Sequence, residues 1–120
     1  MIHKKLSQIP EFLAGDRTRL KEVLHPTNDQ LHLGFSLAHA YLNVGEKSLP
    51  HRLAHSETYY FLQGEGIIYV AGAEKTVEKN DVVYVAPNAE QYVVNTGKDR
   101  LEFLCIVSPP WSAETEEIDG

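Results

Sequence analysis

The chain has 120 residues, 42% of them hydrophobic, and a formal net charge of −6, the length of one domain able to bury roughly two thirds of its unfolded surface. The negative balance offers no basic stripe to a nucleic-acid backbone, and no apolar run reaches the ~18 residues that span a bilayer. The start, MIHKKLSQIPEF, lacks the apolar stretch of a leader, so cytoplasmic residence and a small-molecule partner are the expectations.

Residues 1–34 read as an N-terminal strand or arm, with a helix near Pro10 to Ala14 and an edge strand in RLKEVL. From Phe35 the chain breaks into short β-rich pieces, a pattern of antiparallel sandwiches and barrels rather than βαβ units. The candidate strands are Phe35 to Val44, Ser48 to Leu53, Glu57 to Gln63, Ile67 to Ala71, Lys75 to Val77, Val82 to Val85, Gln91 to Asn95 and Leu101 to Val107. Gly64, Gly66, Gly72, Asn80-Asp81, Pro87-Asn88 and Thr96-Gly97 between them tolerate turn geometry. Eight such strands suit an all-β jelly-roll barrel with its core at 35–107. Residues 108–120 carry two prolines and four acidic side chains and read as an arm leaving the barrel. Trp111 in that arm is too large to stay exposed, and packs on the barrel mouth or on a second subunit. Cys105, the single cysteine, lies in the apolar run LEFLCIV and reads as a buried thiol.

Two stretches carry chemistry. GEKSLPHRLAHSETYYFLQG, residues 45–64, runs glycine, five residues, His51, Leu53, Glu57, six residues and Gly64. NDVVYVAPNAEQYVVN, residues 80–95, places Asp81, Pro87, Gln91 and Asn95 in order behind it. In spacing and separation the two resemble the paired signatures of the cupin superfamily, in which the first has His-x-His before the glutamate and the second supplies another histidine. Here Leu53 and Gln91 stand at two of those histidine positions, while Asn80 and Asn88 replace glycines. The resemblance implies a small jelly-roll barrel, commonly a homodimer, with a divalent metal at its mouth serving oxygen insertion, isomerisation, decarboxylation or ligand sensing.

Strand parity puts His51 and Leu53 on one face about 6.6 Å apart. A straight strand would carry Glu57 roughly 20 Å from His51, far beyond first-shell bonds of about 2.0–2.2 Å. The chain must therefore reverse around Ala54 to Ser56, bringing Glu57 beside His51 and leaving His55 at the bend, a solvated turn residue or a rim residue. Imidazole with carboxylate suits Zn, Fe, Mn, Ni or Cu. Leucine binds no cation, and Gln91 offers only an amide oxygen, as a neutral wall or as a fourth ligand. If Phe35 to Val44 pairs with Ser48 to Leu53 about Glu46, His39 lies opposite Leu53 and restores the missing imidazole, with Tyr41 opposite His51. The expected metal set is then His51, Glu57, His39 and Gln91. Parity from Glu57 and Gln91 brings Tyr59, Phe61 and Val93 inward with Leu53, as pocket walls or as core. Tyr59 and Tyr41 are the candidate proton donors. His3, His25 and His32 have no matching context and read as surface residues.

The expectation is a metal-binding cupin that acts on or binds a small oxygenated molecule, as a dioxygenase, an isomerase or neither. A non-catalytic binding module with weak or no metal is the alternative.

Overall fold

A computed structural model describes residues 1–119. Within them the strands are β1 (Phe12–Leu13), β2 (Arg19–Leu24), β3 (Ser36–Leu42), β4 (His51–Leu53), β5 (Ser56–Gln63), β6 (Glu65–Val70), β7 (Ala73–Glu78), β8 (Val82–Val85), β9 (Gln91–Asn95), β10 (Leu101–Ser108) and β11 (Glu116–Ile118). They form a six-stranded sheet in the order β1-β2-β3-β10-β5-β8 and a five-stranded sheet in the order β11-β4-β9-β6-β7. All pairings are antiparallel. This is a jelly-roll barrel, two sheets closed over one core.

Alternation sets which residues meet between the sheets. On β10, Leu101, Phe103, Cys105 and Val107 are buried, while Glu102, Leu104 and Ile106 between them are not. Ala40 and Leu42 from β3, Tyr59 and Phe61 from β5, Ile68 from β6 and Val93 from β9 complete the same core. Its centre is an aromatic cluster in which Phe103 lies 5.4 Å from Tyr59 and 5.5 Å from Phe61, ring centre to ring centre. One turn depends on glycine absolutely. Gly64 sits at φ +90°, and a Cβ there would lie 2.3 Å from the Arg100 carbonyl oxygen, so the β5–β6 corner closes against the backbone leading into β10.

Several expectations give way. The helix near Pro10 to Ala14 is absent; Phe12–Leu13 is a strand paired with β2. The Ala14 N–H donates to the Thr18 carbonyl at 2.9 Å, and Arg17 takes a left-handed φ of 74°, which folds the segment into a hairpin. RLKEVL is therefore flanked by β1 and β3 rather than lying at the edge. Among the described residues the one α-helix, Pro26–Asp29, starts at His25, whose side chain caps it by accepting from the Thr27 N–H. His25 is thus a structural residue. The expected pairing of Phe35–Val44 with Ser48–Leu53 does not form, because β3 and β4 lie in different sheets and the segment between them crosses over. The acidic arm also returns: β11 pairs with β4 and places Glu116 opposite Leu53 and Ile118 opposite His51.

Candidate functional site

One end of the space between the sheets stays open as a cavity of about 120 Å³, room for about four water molecules at the volume water takes in the liquid. Phe12, Leu20, Leu53, Val93, Phe103 and Val107 make most of its wall apolar. Its polar end gathers around His51, whose Cα is paired with Gln91 of β9, and which is only 2% exposed.

The His51 Nδ1–H donates to the Leu49 carbonyl at 2.9 Å, which aims Nε2 into the cavity. There Nε2 stands 3.8 Å from Asp16 Oδ2 and 3.9 Å from Glu57 Oε1. Glu57 arrives from β5 on the opposite sheet, so the bend between β4 and β5 carries the chain across the barrel rather than to a neighbouring strand. Its Oε1 is buried and has no hydrogen-bond partner. Asp16 comes from the β1–β2 turn. Its Oδ1 accepts from the Thr18 N–H at 3.1 Å and from Thr18 Oγ1 at 2.8 Å, leaving Oδ2 to face the imidazole. That turn is packed against the C-terminal strand: a Cβ on Gly15 would meet Ile118 Cδ1 at 2.7 Å. Glu116 lines the same cavity from β11.

These charges act on one another. Burial works to lower the His51 pKa, but Glu57, the charge of Asp16 and the Leu49 carbonyl outweigh it and raise it to about 9. At 3.9 Å Glu57 acts on the imidazole as an ion-pair partner rather than a hydrogen-bond acceptor, so its charge and that of Asp16 carry the rise. At neutral pH His51 is an imidazolium held between two acids. Burial, reinforced by the charges of Asp16 and Glu57, also raises Glu116. Burial, then the charge of Glu57, pushes Tyr59 and Cys105 well above their ordinary values, so both keep their protons.

Of the residues marked out in the sequence, His51, Leu53, Glu57, Tyr59 and Val93 line the cavity. Gln91 is buried, and its amide oxygen accepts the Tyr59 hydroxyl. Phe61 is fully buried core rather than cavity wall. His39 and Tyr41 are corrections. Ala38, Ala40 and Leu42 take the inward parity of β3, so both face away from the cavity. His39 Nε2 meets Glu102 Oε1 at 3.1 Å, and the Tyr41 hydroxyl donates to Glu11 Oε2 at 2.9 Å beneath the Arg100 guanidinium. His55 is also outside the cavity, bonded through Nδ1 to the Pro109 carbonyl at 2.9 Å. Asp16, Glu116 and Cys105 belong to the site although nothing in the sequence marked them for it. Asp16 lies in the unassigned first 34 residues, and Glu116 is one acid among several in a tail. Trp111 lines the cavity, its backbone N–H donating to Ser36 Oγ at 3.0 Å.

The two tyrosines separate in stability. Tyr59→Phe strands the buried Gln91 oxygen and is expected to cost about 1–3 kcal/mol. Tyr41→Phe, on the outer face, is expected to cost about 1 kcal/mol or less. Urea unfolding of the two variants checks the ordering, and a larger loss in Tyr41→Phe would contradict the inward placement of Tyr59.

Fold and cavity together define a jelly-roll barrel with a partly polar cavity between its sheets. The chain belongs to the cupin domain family, whose model matches residues 38–107. It is 33% identical over 119 residues to an uncharacterised protein of Methanocaldococcus jannaschii, covering 98% of this chain and 94% of that one. It is also 33% identical over 51 residues to an oxalate-binding protein of Thermotoga maritima, 42% of each chain. Among solved structures, a predicted oxalate decarboxylase from Thermotoga maritima superposes with a TM-score of 0.80, covering 90% of this chain and 99% of that one at 22% identity. That last likeness shows the fold alone. Among the described residues no helix is long and apolar enough to cross a membrane.

Proposed function

We propose that this protein is a metal-independent, non-catalytic binding cupin that encloses a small, mostly apolar molecule and fixes its polar end at His51, Glu57 and Asp16. The observation that carries this reading is Glu57 Oε1, a buried carboxylate oxygen facing a cavity without a donor. Leaving such an atom unpaired costs free energy that a ligand's N–H or O–H group offsets on binding. The oxalate-binding relative supports a small molecule as the partner.

The family resemblance implies a divalent metal, and the donor set expected for it, His51, Glu57, His39 and Gln91, is not assembled here. Leu53 has no donor atom, the Gln91 oxygen is engaged by Tyr59, and His39 faces away from the cavity. Among the described residues no three His, Cys, Asp or Glu side chains form a group that could hold an ion. His51 is instead the cation of the cluster, placed between Asp16 and Glu57. Tyr59, with its proton retained and donated to Gln91, orients the wall and is a poor base.

Metal analysis tests this directly. Protein purified without a histidine tag is expected to hold far less than one equivalent of Zn, Fe, Mn, Ni or Cu. Its melting temperature is expected not to move on adding these ions or a chelator. Stoichiometric metal that disappears in His51→Ala would overturn the reading.

A further inference from the structure

We infer that the occupant of this cavity is a small protonated amine, its ammonium N–H groups donating to Glu57 Oε1 and Asp16 Oδ2 and its apolar body filling the space toward Phe12, Leu20 and Trp111. This rests on the proposed small-molecule binding and names the ligand class.

The charge of the lining points to it. Asp16, Glu22, Glu57 and Glu116 line the cavity with His51, and the lining has no lysine or arginine. Carboxylates outnumber cationic groups even when the imidazole is charged. An anionic head group such as a carboxylate or oxalate would be placed among like charges with no guanidinium to receive it, which disfavours it strongly at low dielectric. An ammonium group has the opposite sign, three donors and no acceptor, which matches a pocket end rich in acceptors.

A cluster of acids alone would not identify a ligand. Glu57 supplies the independent sign: the residue is 7% exposed, and its Oε1 lies at the cavity with no protein donor. Asp16 is held ready by its two bonds from Thr18, with the second oxygen free to accept. Beyond these groups the wall is apolar and aromatic, suited to a compact hydrocarbon body and to a cation near an aromatic face.

The test uses the full chain and matched probes: cyclohexylamine and benzylamine, each beside the alcohol and the carboxylate with the same body, and oxalate. Binding is read by calorimetry and by ligand-dependent rise in melting temperature. The amines are expected to bind about 10- to 100-fold more tightly than the alcohols, with the carboxylates and oxalate weaker still. Glu57→Gln is expected to weaken amine binding far more than alcohol binding, removing most of the amine's advantage. If that variant does not fold, Asp16→Asn, which retains an acceptor for Thr18, reads out the same loss. Alcohols binding as tightly as amines, or carboxylates binding more tightly, overturns the amine inference and leaves the small-molecule reading standing. Failure of every probe to bind overturns both. Oxalate binding that appears only with added Mn or Zn overturns both as well.

Discussion

Replacing Phe61 with alanine is expected to destabilise the barrel by about 3–5 kcal/mol, the usual range for removing a large aromatic from a packed core. Phe61 is fully buried, lies parallel to Tyr59 with ring centres 6.0 Å apart, and packs on Phe103 from β10 at 5.5 Å. Its strand is paired with β10 on one side and β8 on the other, so neighbouring side chains cannot collapse freely into the space it leaves. The neighbouring Tyr60 provides the control. It points the other way from β5 and is 36% exposed, so Tyr60→Ala is expected to cost about 1 kcal/mol or less. Urea unfolding at constant pH measures both. A Phe61→Ala loss no larger than that of Tyr60→Ala would mean that the two sheets are not closed over this cluster.

The second large effect is on the dependence of stability on pH. His51 has a folded-state pKa of about 9 against an ordinary 6.5. Its folded state therefore binds the proton more tightly than the unfolded chain does. The stabilisation is fully present below about pH 6.5 and is lost as the pH rises toward 9. That interval corresponds to on the order of 3 kcal/mol. Wild-type protein is thus expected to weaken progressively between pH 6.5 and 9, while His51→Gln loses most of that slope. At pH 6.5 the variant is expected to be less stable by roughly 3–5 kcal/mol, because Asp16 and Glu57 then face the cavity without the cation between them. Denaturant midpoints for both proteins across this range decide the matter. A flat wild-type profile would show that the imidazole carries no charge in the folded state.

The strand map was largely legible because it depends on local chemistry. Val82–Val85 and Gln91–Asn95 begin and end where the sequence places them, between Asn80-Asp81, Pro87-Asn88 and Thr96-Gly97. Asn80 and Asn88 adopt the positive φ values, 73° and 68°, that asparagine tolerates. Pro10 to Ala14 misled because five residues hold too little periodic signal to tell a helix from a strand. The deciding bond, from the Ala14 N–H to Thr18, belongs to a hairpin whose partner strand lies further along.

Residue type and spacing by themselves pointed to the barrel, to the burial of Cys105, and to the pairing of one imidazole with one carboxylate as the chemistry to examine. Tertiary structure alone decided the rest of the site. Ser36 to Leu42 carries apolar residues at both parities, so only pairing with β2 and β10 fixes that Ala40 turns inward and His39 outward. Asp16 and Glu116 reach His51 from opposite ends of the chain through hairpin and strand pairing. A sequence records which groups a strand presents at period two. Which distant groups come to face them depends on contacts between residues far apart along the chain, and those exist only once the sheets have closed.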